Sequence, residues 1–274
     1  MFMTRLFSSV VLVVLALSTI LTGSYVLAAI LLFLALVAYR ELMKACKLTE
    51  IKGKINGMEI IGYVGIIVYY LFMVFVENKI YLLLVLITIL IGFMFLYVFS
   101  FPKCKAEQIM CAFFCVAYAP VMLSFIYLVR CLPYGIYTVW MIFISSWICD
   151  TCAYVVGMLF GKHKLAPVLS PKKSIEGALG GIAGSAIVGA LYAYFIVEPA
   201  IREQKITWIF VLISAVGAVI SQVGDLAASA IKRNHEIKDY GKLIPGHGGV
   251  MDRFDSVIFT APMIYFLTLL LIHG

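Results

Sequence analysis

The chain has 274 residues, 64% of them hydrophobic and only 13% charged, against roughly 45–50% and about 25% in soluble domains. A bilayer requires that much apolar surface of its spanning helices and a soluble core does not, so a soluble globular protein is excluded. The net charge of +7 reads as the orientation signal of basic residues at helix ends, and no nucleic-acid partner is expected.

Nine apolar runs of about spanning length follow one another, at 6–21, 24–39, 59–76, 80–99, 108–129, 136–160, 176–197, 207–230 and 254–272. Arg5 ahead of the first run imitates a signal peptide. A second run begins almost at once without a small-residue cleavage site, so the first helix is read as retained. Only Thr22 and Gly23 separate the two runs, and one tight hairpin would also fit. With the N-terminus in the cytoplasm and the loops alternating, all but four of the 21 lysines and arginines fall on the cytoplasmic side; the exceptions are Lys79, Arg130, Arg202 and Lys205. A wrong helix count would have scrambled that bias. The expected architecture is an all-α integral membrane protein of about nine transmembrane helices, multi-pass in the cell (plasma) membrane. Its active site should face the cytoplasm and be built mainly by the C-terminal helices. Residues 1–130 are expected to serve as scaffold, dimer or lipid contacts, and residues 131–274 as the catalytic region.

Of the seven cysteines only Cys149 and Cys152 form a CxxC, inside an apolar run. One such pair is too few for a structural zinc site, and small polarizable residues packed between helices are expected instead. The aspartates are more telling. All five, Asp150, Asp225, Asp239, Asp252 and Asp255, lie in the C-terminal half, each at or near a cytoplasmic helix end in the nine-helix arrangement. Asp150 and Asp225 sit within or at the end of apolar runs, where an ionised carboxylate costs several kcal/mol unless paired or solvated.

On the eighth predicted helix Ser221, Asp225, Ser229 and Lys232 recur at steps of four, four and three, forming one stripe, and Arg233 follows. A polar segment, 234–242, leads to Pro245-Gly246-His247-Gly248-Gly249, whose glycines let backbone N–H groups approach an anion. The ninth helix opens with Asp252, Arg253 and Asp255, the two acids sharing a face. Carboxylates from two helices suit Mg²⁺, which keeps some waters and takes phosphate oxygens as further ligands. Lysine and arginine neutralise the rest of the phosphate charge. Taken singly, several of these residues have plainer readings. Asp252 and Asp255 could cap the helix and meet its dipole, the basic residues could be topology signals, and His247 a loop histidine. Asp225 fits such a reading least.

A second polar block closes the sixth helix, with Asp150-Thr151, Gly157 and Gly161-Lys162-His163-Lys164. It continues through Ser170-Pro171-Lys172-Lys173-Ser174 to Glu176-Gly177. Gly161-Lys162 imitates a phosphate-binding P-loop, but Val156 stands at the required upstream glycine and no Ser or Thr follows the lysine. Glycines 177, 180, 181 and 184 have the spacing of close helix packing.

The run from Ser229 to Asp255, with Lys232-Arg233, Lys238-Asp239, the turn around His247 and Asp252-Arg253-x-Asp255, closely resembles the signature of the phosphatidate cytidylyltransferases, or CDP-diacylglycerol synthases. Gly224-Asp225 and the block from Asp150 to Gly177 resemble that family too, while the first half matches only as generic hydrophobic helices. The resemblance implies transfer of a cytidylyl group from CTP to phosphatidic acid, giving CDP-diacylglycerol and pyrophosphate. It also implies Mg²⁺ dependence, with or without a second cation, and a homodimer in a bacterial membrane. On that reading Asp225, Asp252 and Asp255 hold the metal. Lys232, Arg233 and Arg253 bind the triphosphate, and Ser170, Lys172 and Lys173 the lipid phosphate. Ser229, Asp150, Lys238, Asp239 and His247 line the site without assigned roles. Two rivals remain: a related enzyme using CTP with another lipid, and a transporter using intramembrane acids. The acids cluster at one surface, which disfavours transport.

Overall fold

The computed structural model describes residues 14, 16–49, 55–201, 206–243 and 248–272. Among them eight helices are long and apolar enough to cross a membrane. They are α1 Ser24–Ala45, α2 Gly57–Phe75, α3 Tyr81–Ser100, α4 Ala106–Cys131, α5 Gly135–Phe160, α6 Ile175–Ile201, α7 Thr207–Asn234 and α8 Met251–Ile272. These correspond to the last eight predicted runs. Of the first, 6–21, residues 14 and 16–21 are helical and the remainder lies outside the described residues. Gly23, at φ 61°, separates that stretch from α1, in a backbone region that costs glycine least. Between α5 and α6 the chain departs from helix in an antiparallel hairpin, β1 Lys164–Ala166 and β2 Ser170–Ser174. The chain divides into two compact units, Met1–Tyr127 with His235–Arg253, and Leu128–Asn234 with Phe254–Gly274.

In the first unit the helices meet through aromatic hydroxyls set against small residues. Tyr39 of α1 donates to the Met58 carbonyl at 3.1 Å, and a Cβ on Gly62 would lie 2.1 Å from its Oη. Only glycine at 62 admits the ring. Tyr70 of α2 donates to the Pro120 carbonyl at 3.0 Å. Pro120 sits in a wide π-helical turn, Ala117–Val121, that interrupts α4; a residue without an N–H cannot continue the α-helical ladder there. Asn56 and Glu59 form a reciprocal cap that starts α2 two residues before the predicted run. At its other end α1 runs to Ala45, past the predicted limit of 39. It closes in a turn where Lys47 has φ 58°, Lys47 N–H bonds Lys44 O and Leu48 N–H bonds Met43 O.

The second unit is held by close backbone approach. In a bilayer the lipid tails are as apolar as leucine, so helices associate through small residues and interhelical polar contacts. The expected glycine packing is present. A Cβ on Gly177 would lie 2.7 Å from the Ala153 carbonyl, on Gly181 2.8 Å from that of Cys149, and on Gly184 2.4 Å from Cys152 Sγ. Gln222 of α7 donates to the Ala178 carbonyl at 3.0 Å and lies 3.3 Å from Cys149 Sγ, tying α7 to α6 and α5. The CxxC cysteines are thus packing residues, as expected. With 28 residues, α7 is about 42 Å long against a hydrocarbon core of about 30 Å. Measured from Thr207, Asp225 falls about 27 Å along the axis, so the turns carrying Ser229, Lys232 and Arg233 extend past the apolar span.

Candidate functional site

The predicted polar residues of the second unit converge. Asp255 of α8 interacts electrostatically with Asp225 and Lys232 of α7 and with Asp150 of α5. Gly224 makes this possible: a Cβ there would stand 2.9 Å from both the Asp255 carbonyl and Phe259 Cβ, so α8 rests against the backbone of α7 where Asp225 follows. Lys173 reaches in from β2 and forms an ion pair with Asp225, both side chains being about a quarter exposed. Two half-buried carboxylates that feel each other's charge repel. Lys173 and Lys232 offset that repulsion, and so could a cation. A π-helical turn, Ile144–Ile148, ends two residues before Asp150.

The hairpin is clamped at its base. Glu176, in the first turn of α6, accepts from the backbone N–H groups of Lys162 and His163, and its Oε1 lies 2.6 Å from His163 Nδ1. Ser174 accepts from the Gly177 N–H at 3.1 Å and caps the same helix. Neighbouring strand residues face opposite ways, so Lys173 turns to Asp225 while Lys172 is exposed. Ser170 is half-buried at the start of β2.

In the first unit the residues that lead into α8 are fastened to α1. Glu41, buried near the end of that helix, accepts from the Val250 N–H at 3.1 Å and the Met251 N–H at 2.9 Å. These are two of the donors that a helix start leaves unpaired, so a side chain from α1 caps α8. The segment is moulded around that carboxylate: a Cβ on Gly241 would lie 2.1 Å from Glu41 Oε1, and on Gly249 2.4 Å. Asp252 completes the fastening, its Oδ2 accepting from Tyr240 N–H at 2.8 Å and Gly249 N–H at 3.0 Å.

The expected site residues therefore fall into two groups. Asp150, Lys173, Asp225, Lys232 and Asp255 come together in the second unit, with Ser229 half-buried on the same helix and Arg233 exposed. Asp252, Lys238, Asp239 and Arg253 belong to the first unit; the last three are exposed. His247, with Pro245 and Gly246, lies outside the described residues. Among the described residues no three carboxylates bring oxygens within 4.8 Å of one another. The donor set around Asp225 and Asp255 is nevertheless oxygen alone, which fits a hard cation held by one or two carboxylates and completed by water and phosphate. The sequence reading missed Glu41. A carboxylate just past an apolar run, on a helix that continues beyond it, was the available signal.

Residues 3–271 match the model of a family described as the cytidylyltransferase family. The phosphatidate cytidylyltransferases of Staphylococcus epidermidis and Staphylococcus aureus are 32% and 33% identical to this chain, over 96% of it and 97% of each relative. That of Staphylococcus haemolyticus is 38% identical over 156 residues, 57% of this chain and 58% of the relative.

Proposed function

As the chain belongs to the cytidylyltransferase family, we propose that it is a phosphatidate cytidylyltransferase, joining CTP and phosphatidic acid into CDP-diacylglycerol with release of pyrophosphate. The observation that carries this reading is the cluster of Asp225, Asp255, Lys173 and Lys232 beside the polar end of α7. A lipid whose acyl chains stay in the bilayer presents its phosphate at that depth. An oxygen of the phosphatidate phosphate attacks the α-phosphorus of CTP, and the bond from that phosphorus to the oxygen bridging to the β-phosphate breaks. The attacking oxygen is already ionised, so no strong base is required, and catalysis consists of positioning and electrostatic stabilisation.

Lys173 neutralises Asp225 and is the strand lysine placed to meet the lipid phosphate; Lys172 and Ser170 lie on the opposite face of β2 and have that role by resemblance alone. Lys232 and Arg233 take the triphosphate and then the leaving pyrophosphate, a role that the resemblance also gives Arg253. Asp225 and Asp255 are the carboxylates that would hold Mg²⁺, and the ion would supply positive charge against the negative charge gathering at the attacked phosphorus. The expectation that Asp252 is a third ligand rests on the sequence alone; in the structure its Oδ2 holds two backbone amides. A cytoplasm-facing site follows from the lysine and arginine asymmetry, and a homodimer belongs to the same proposal.

The test is purified protein with CTP, phosphatidic acid and Mg²⁺, followed for CDP-lipid and pyrophosphate in equal amounts. Product formation that stops on chelation is the expected result. Absence of product, with substrate uptake into vesicles independent of CTP, would replace this reading with transport.

A further inference from the structure

Three cysteines remote in sequence meet in the first unit. Cys46 follows the last turn of α1, and Cys111 and Cys115 stand one turn apart on α4, so two of the three share a helix face. Their sulfurs all lie within 4.8 Å of one another. Cys115 is buried, Cys46 and Cys111 are half-buried, and all three are free thiols. His235, the first residue after α7, is half-buried and belongs to the same unit; its ring nitrogens lie outside the 4.8 Å group, near enough for its charge to act on Cys111. Neither the proposed reaction nor the glycine packing uses any of these four residues.

We propose that Cys46, Cys111 and Cys115 bind a thiophilic divalent cation, Zn²⁺ before others, with His235 moving in from outside the trio as fourth ligand. Three thiolates and one imidazole form a donor set that soft and borderline metals select and that Mg²⁺ and Ca²⁺ do not. The geometry is close to what such an ion needs. Zn–S bonds of about 2.3 Å in a tetrahedron place sulfurs about 3.8 Å apart, so each pair closes by about 1 Å at most from the 4.8 Å limit. Cys111 and Cys115 are fixed on a rigid helix. Cys46, at the point where α1 ends, and His235, in the turn after α7, stand where the backbone can make that adjustment. The Cys149–Cys152 pair lacks this convergence, since Cys149 is engaged by Gln222 and Cys152 lies against Gly184. The bound ion would pin the start of the 235–249 segment to α1 and α4, while Glu41 and Asp252 fasten its far end.

The full-length protein, purified in detergent under reducing conditions without chelator, should contain about one zinc per chain, and Co²⁺ in its place should give thiolate charge-transfer and tetrahedral d–d bands. Cys46→Ser and Cys111→Ser should lose both metal and bands, whereas Cys104→Ser and Cys152→Ser keep them. His235→Gln should keep the charge-transfer band but shift the d–d bands as water replaces nitrogen; unchanged d–d bands would remove His235 from the set. Should the serine variants fail to fold, the wild-type protein still decides: Zn²⁺ must protect Cys46 and Cys111 from alkylation. Wild-type protein that holds no zinc and takes no Co²⁺ overturns the site. So does metal retained in Cys111→Ser, or a mass lower by two hydrogens showing a disulfide within the trio.

Discussion

Replacing Glu41 by glutamine tests whether the cap on α8 governs the chemistry four residues further on. Glu41 gives one carboxylate oxygen to Val250 N–H and the other to Met251 N–H. Glutamine has nearly the same shape but can accept at only one of the two, and its amide nitrogen then faces a backbone donor. A hydrogen bond to a charged group contributes about 1.5–3 kcal/mol, and a buried donor left unpaired costs about as much again on the low side. If only the smaller loss reaches the placement of Asp255, turnover falls about tenfold; at about 3 kcal/mol it falls a little over a hundredfold. CDP-lipid formation should therefore drop by one to two decades in Glu41→Gln, with a lower unfolding temperature in detergent. Glu41→Ala should be worse, because both amides lose their partner. Wild-type turnover and wild-type unfolding temperature in Glu41→Gln would refute the reasoning, since the buried amides would then have found other partners at no cost.

Asp225→Asn keeps the side-chain shape and removes the charge that pairs with Lys173 and that a hard cation would need. Folded, membrane-inserted protein with activity at least ~100-fold down is expected, in the range that loss of metal-site groups reaches; near-normal turnover would take Asp225 out of the mechanism. Cysteines introduced near Lys242 and near His273, in a chain stripped of its own, should label from opposite membrane faces, Lys242 from the cytoplasm. Labelling of both from one side would break the nine-helix arrangement. Unlabelled ATP and GTP should compete poorly with CTP, because a site that hydrogen-bonds one base leaves those groups unpaired with another, at a cost of several kcal/mol. Equal competition by ATP would sink the cytidylyltransferase assignment.

The membrane class and the eight described spans were legible because the bilayer imposes composition over whole helices, a signal that single residues cannot hide. The cluster of Asp225, Asp255 and Asp150 was legible for the converse reason, since isolated acids in apolar runs stand out. What escaped were pairings across long sequence separations. Nothing near Lys173 in the sequence says that it meets Asp225, and nothing near Glu41 announces Val250. Cys46 looks solitary until α1 and α4 lie side by side, while the local CxxC proved to be packing. The hairpin was hidden by Pro167 and Pro171, which read as loop.

The Glu41 cap joins residues 209 positions apart, which has a consequence for how the chain is made. At roughly 5–20 residues per second, about 10 to 40 seconds separate synthesis of that carboxylate from synthesis of the amides it will hold. Throughout that interval the first four described spans can insert and pack, yet they carry an acid whose partners do not exist. The unit that holds Glu41 therefore cannot mature ahead of the start of α8. A ribosome that stops short of Val250 releases a product whose Glu41, near the end of α1, lacks both backbone partners. The bond between Glu41 and the start of α8 thus also reports that translation has passed Val250.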